Sequence, residues 1–197
     1  PTRYLRTNPV SAYEGLDEAE IALPWEAVRD LQASGGWTDL TNTRGALITG
    51  GRRIDLVGVD DPHAERDAYP APGHPAQESS GIAVRDRDGH RLRIGLVHSP
   101  YRRVLDAMAA DGVGLALAGH THGGQLCLPG VGALVTNCDL DRGRASGLSQ
   151  WPGRTGTSEA TGDMYLHVSA GLGTSPYTPV RLACPPQATL LTLRPAA

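Results

Sequence analysis

Three histidines stand where a sheet could present them together. His98 ends an apolar run at residues 92–97 that Arg93 interrupts, and His120 and His122 follow a second apolar run at residues 113–118. Between the runs, residues 101–110 have the spacing of a helix. A strand, a helix and a second strand bring both exits to one edge of a parallel sheet. Ligands of open α/β sheets bind beyond the carboxyl ends of the strands. Neutral imidazole is the commonest nitrogen ligand of late divalent cations, so the pattern points to a metal site. Taken alone, His120 and His122 would be surface histidines in a turn and His98 a core histidine bonded to backbone. The coincidence of two strand exits favours the metal. Gly119, Gly123 and Gly124 flank the pair. A glycine turn lets each ring address a different ion or group, whereas a strand would put both on one face.

The remaining candidates are weaker. Asp60, Asp61 and His63 cluster at another strand end. Aspartates before a proline commonly cap turns, which is the reading for Asp61, while Asp60 and His63 could hold a ligating histidine in its tautomer. His122-Gly123-Gly124 would suit an oxyanion loop, but no GxSxG nucleophile elbow exists. Gly171-Leu172-Gly173 lacks the third glycine of a dinucleotide fingerprint. All 18 cationic side chains are arginine, which removes a Walker-type phosphate loop, a Schiff base and a lysine nucleophile. Arg102 and Arg103 read as a solvated helix face. A net charge of −3 speaks against a nucleic-acid partner. Three cysteines without CxxC spacing argue for free thiols in a reducing compartment.

Around these residues the chain reads as one mixed α/β domain over residues 1–197, rich in antiparallel pairing. Residues 1–23 are irregular, and residues 25–33 form a helix behind Pro24 that Ser34-Gly35-Gly36 stops. Residues 37–40 are a short strand, and residues 46–49 and 52–59 form a hairpin around Gly50-Gly51. Residues 64–90 and 139–162 are long loops, the first holding Asp88-Gly89 as the turn of a further hairpin between residues 82–84 and 92–94. Short strands broken by Pro129, Gly130 and Gly132 fill residues 126–135. Residues 165–169, 180–183 and 188–193 are the last strands. No run of about 18 apolar residues is present to span a membrane.

The segments Leu96-Val97-His98-Ser99-Pro100 and Gly119-His120-Thr121-His122-Gly123-Gly124-Gln125 resemble the C-terminal half of bacterial calcineurin-like metallophosphoesterases. Gly58-Val59-Asp60-Asp61-Pro62, the loop 169–175, Cys184-Pro185-Pro186 and residues 189–193 resemble one bacterial branch of that family, which includes membrane-associated phosphohydrolases. The resemblance runs from about residue 25 to the end. It implies an α/β fold, part of a four-layer α/β/β/α sandwich with mixed sheets. It also implies two divalent cations (Mn, Fe or Zn), with His98 and His120 on one and His122 on the other. Such a site hydrolyses phosphoric esters or pyrophosphates with a metal-activated water.

The family's Asp-x-His motif, its bridging aspartate and its Gly-Asn-His-Asp segment do not occur, and Asn42 and Asn137 stand outside such a context. The expectation is therefore a C-terminal portion whose catalytic partners lie upstream of Pro1, in the missing N-terminal half of the same domain. Alone it would be inactive. Its substrate would be a phosphorylated small molecule or a lipid-linked phosphate, in the cytoplasm, with membrane association only through residues outside this chain. Two rival readings are a non-catalytic metal- or partner-binding module and a mononuclear zinc hydrolase using the three histidines alone.

Overall fold

The computed structural model describes residues 24–71, 76–78, 92–153, 164–175 and 178–194. In chain order these form α1 (Trp25–Ser34), β1 (Thr43–Thr49), β2 (Arg52–Gly58), β3 (Ala76–Glu78), β4 (Arg93–Val97), α2 (Arg102–Ala110) and β5 (Leu115–Ala118). They continue with β6 (Cys127–Leu128), β7 (Gly132–Ala133), β8 (Gly147–Trp151) and β9 (Met164–Val168). The fold class is α/β. One mixed sheet has the order β3-β1-β2-β4-β5-β9-β8, and β6 and β7 form a separate small hairpin.

At the centre of the sheet, β2, β4, β5 and β9 run in one direction. Antiparallel pairing within it is confined to the β1–β2 hairpin and to β8 against β9. The antiparallel character expected from the sequence thus belongs to the flanks. The centre is parallel because β4 and β5 are joined through α2, a connection that returns the chain to the same end of the sheet.

The helix α2 covers this parallel centre. Val104, Leu105 and Met108 on it are buried with Val57, Val97, Val113, Ala116, Leu166 and Val168 from the strands and their ends. Each such valine, leucine or methionine stabilises the fold by about 1.5–3 kcal/mol on removal from water. Beside the core lies a buried charge cluster. Arg44 on β1 pairs with Asp111 at 2.8 Å, with both side chains 9% exposed, and Arg93 on β4 reaches the same carboxylate at 3.2 Å. The Tyr69 hydroxyl donates to it at 2.9 Å. Asp111 is the residue that ends α2, so one carboxylate ties the helix terminus to two strands.

Several expected elements differ. Residues 37–40 are irregular, and the expected loop 139–162 contains β8 as well as a short helical turn, Arg142–Arg144. The expected loop 64–90 contains β3, which adds to β1 in parallel. Residues 188–193 form no strand, and 180–183 contribute only an isolated bridge from Leu182 to Leu126. Their apolar side chains find no neighbouring ladder; Leu190 is 92% exposed. The hairpin expected around Asp88-Gly89 and the irregular stretch 1–23 lie outside the described residues. No helix among the described residues is long and apolar enough to cross a membrane.

Candidate functional site

The four parallel strands empty onto one edge: β2 into Val59-Asp60-Asp61, β4 into His98-Ser99, β5 into Gly119-His120 and β9 into Ser169-Ala170. Backbone bonds carry the ladder past the strand ends. Gly119 N–H donates to His98 O at 3.0 Å, Val59 N–H to Leu96 O at 3.3 Å and Ser169 N–H to Ala118 O at 2.8 Å. This stitching brings the His98 and His120 rings together edge to face, 5.3 Å between centroids.

A third imidazole joins them from β2. The His63 ring lies 4.8 Å from that of His120, and its Nδ1 is 2.9 Å from the Tyr101 hydroxyl. Asp61 is the hinge of this exit. Its Oδ1 accepts the buried Ser99 hydroxyl at 2.7 Å and the His63 N–H at 3.0 Å. Burial by itself would raise the Asp61 carboxyl. The Ser99 and His63 donors, with the nearby His98 and His120 rings, outweigh it and hold the group below the usual carboxylate range. Asp60 is kept in place by Asn42, whose Oδ1 accepts both Asp60 N–H at 2.9 Å and Ala68 N–H at 2.8 Å. Asp61 therefore does more than cap a turn, and the His63 ring lies beside His120 while its Nδ1 bonds Tyr101.

The second histidine exit is a tight turn with an unusual backbone. His120, His122, Gly123, Gly124 and Gln125 all have φ between 51° and 85°. Non-glycine residues in this left-handed region cost about 1–3 kcal/mol each and persist only where their surroundings hold them. Here the hold is visible. Arg181 reaches His122 O with Nη1 at 3.0 Å and Ala170 O with Nη2 at 2.7 Å, tying the turn to the β9 exit. The Gln125 side chain accepts Ser175 N–H at 2.8 Å and donates to Thr178 O. The two glycines are packing requirements as well. A Cβ on Gly123 would sit 2.8 Å from Cys184 Sγ, and one on Gly124 would collide with Ala133.

His120 and His122 are both shifted toward the neutral form. Burial lowers both, His98 and His63 lower His120 further, and Arg181 lowers His122 further; the carbonyls of Asn137 and Gly173 oppose in part. A neutral imidazole retains the lone pair that a cation needs. The Nε2 of His120 is 3.0 Å from Asn137 O; donating there leaves Nδ1 as the ring nitrogen with a free lone pair. In donor chemistry His98, His120 and His122 thus fit a divalent cation. Among the described residues, however, no three His, Cys, Asp or Glu side chains converge on one point that could hold an ion. His98 and His120 meet, while His122 faces Arg181 and the Gly173 loop. Sequence reading missed Tyr101 and Arg181, and gave Asn42 and Asn137 no role, because each acts singly through backbone or hydroxyl partners that no spacing announces.

Sequence comparison identifies the class of protein to which this strand-end histidine edge belongs. The chain is 29% identical over 167 residues to an uncharacterized metallophosphoesterase, YkuE, of Bacillus subtilis, covering 84% of this chain and 50% of that protein. It is 31% identical over 160 residues to the phosphodiesterase YaeI of Escherichia coli, covering 81% and 48%. An uncharacterized metallophosphoesterase of Aquifex aeolicus matches at 28% over 151 residues, 77% and 49%. The chain belongs to the calcineurin-like metallophosphoesterase family, and it spans about half the length of the curated relatives it matches. No family model and no solved structure matches it.

Proposed function

We propose that this chain contributes the C-terminal ligands of a two-metal site that hydrolyses phosphodiesters. The observation that carries the reading is the meeting of His98 and His120 at the carboxyl ends of adjacent parallel strands, in a chain of this family. His98 and His120 would hold one cation and His122 the other, drawn from Mn, Fe or Zn. When bound, such cations supply Lewis acidity toward phosphate oxygens and toward water. The remaining donors, a bridging carboxylate among them, would come from residues other than these three histidines, since no three such side chains converge among the described residues.

The chain's own residues do the positioning. Ser99 and the His63 amide keep Asp61 ionised beside His98 and His120, which favours a cation at that edge. Arg181 fixes the turn that aims His122. Phosphodiesters are the favoured substrate class because the Escherichia coli relative is named a phosphodiesterase.

Elemental analysis of the chain and of the full-length gene product, each with His122→Ala, tests the proposal, alongside turnover of bis(p-nitrophenyl) phosphate. The expected outcome is two metals per full-length molecule, one fewer in the variant, and little metal or turnover in the 197-residue chain. Absence of metal from both proteins would overturn the reading. Full activity in the 197-residue chain would overturn its dependence on outside ligands.

A further inference from the structure

Behind the His122 turn, two of the three cysteines converge. The Cys127 backbone N–H donates to Leu182 O at 2.9 Å and the Leu182 N–H to Gln125 O at 3.0 Å, which draws the segment carrying Cys184 alongside β6. Both thiols donate to the same acceptor, Gly123 O, each at 3.3 Å. Their sulfurs therefore lie no farther apart than twice that distance, and the Cys184 thiol is within hydrogen-bonding reach of Cys127. The two side chains belong to one small apolar cluster with Ala133 and Ala145. They also line a cleft of about 900 Å³, together with Arg142 and Ser146. A small oxidant can reach them through that cleft without unfolding the chain. Cys138 belongs elsewhere: it packs against the main core beneath α2.

We propose that Cys127 and Cys184 are a redox modification site, a dithiol that closes to an intramolecular disulfide on oxidation by a peroxide. The S–S bond forms as the O–O bond of hydrogen peroxide breaks. The two sulfurs together give up two electrons, and the two thiol protons leave with the peroxide oxygens as two molecules of water. Closure removes the Cys127 proton directed at Gly123 O and the single Cys184 proton, which in the dithiol is shared between Gly123 O and His122 O, each at 3.3 Å. The site thus reads oxidation at the backbone of the turn that carries His122. It depends on the thiols alone, so its failure and the failure of the metal reading are separate results.

The folded chain is treated with hydrogen peroxide, and free thiols and intact mass are followed. The free-thiol count should fall from three to one with the loss of two hydrogens, and dithiothreitol should restore it. Cys138→Ala should fall from two thiols to none, while Cys127→Ala and Cys184→Ala should keep both of theirs. Retention of all thiols, a linkage that includes Cys138, or addition of oxygen without linkage would overturn the proposal. If either variant of the pair fails to fold, the wild type and Cys138→Ala decide the matter.

Discussion

Ser99 is fully buried, yet its hydroxyl serves a carboxylate that is only partly so. Ser99→Ala should destabilise the chain by about 1 kcal/mol, below the usual range for a bond to a charged group, because water can partly replace the hydroxyl at the partly exposed carboxylate. The pH dependence identifies the mechanism. A carboxyl held below its ordinary value in the folded state contributes stability above the unfolded value of about 4 and loses it as pH falls through the folded one. The gap between wild type and variant in urea unfolding should therefore be full at neutral pH and close in acid. At Gly124 the effect is steric: with φ at 85° and Ala133 in the way of a Cβ, Gly124→Ala should cost about 2 kcal/mol or more and loosen the His122 turn. A variant as stable as the wild type in denaturant would refute that. Single residues were the least legible level of the sequence. The histidines declared themselves by ending apolar runs, but Arg181 works through carbonyls that only the folded chain brings to it.

Elements were legible where burial repeats. The core strands β4 and β5 and the helix α2 bury enough side chains to write an apolar pattern into the sequence. By contrast, β8 at the sheet edge buries only one of its five residues, and β3 has three residues, so neither leaves a readable pattern. Conversely, residues 188–193 are rich in leucine and threonine as a strand would be, yet form none. What ties α2 to the sheet by charge is the Arg44–Asp111–Arg93 cluster, and Asp111→Ala should cost about 3 kcal/mol by removing the carboxylate from the buried Arg44 and the partly exposed Arg93. Burial and the Asp111 carboxylate together push the Tyr69 hydroxyl well above its ordinary value. A raised value means stability that is whole below the unfolded value of about 10 and is lost as pH rises beyond it. Thermal unfolding should thus fall steeply above pH ~10, and Tyr69→Phe should flatten that fall. An unchanged alkaline profile in the variant would show that Tyr69 is not the titrating group.

Across the whole molecule, stability is unevenly distributed. Leu105 is fully buried, whereas every residue of α1 is exposed, Leu31 at 73%. Leu105→Ala should cost about 2–5 kcal/mol. Leu31→Ala should stay within about 0.5 kcal/mol of wild type in the same urea titration, and a larger loss would reveal a partner for α1. The parallel centre has a further consequence, for the order of events in folding. The pairing of β5 with β9 closes a loop that contains the entire His120–Gln125 turn and the β6–β7 hairpin. Such long-range pairing is entropically late, since the loop must be closed before any contact rewards it. The histidine edge is therefore among the last parts of the chain to take shape. In pulsed hydrogen exchange its amides should become protected together with those of β9, after the β1–β2 hairpin.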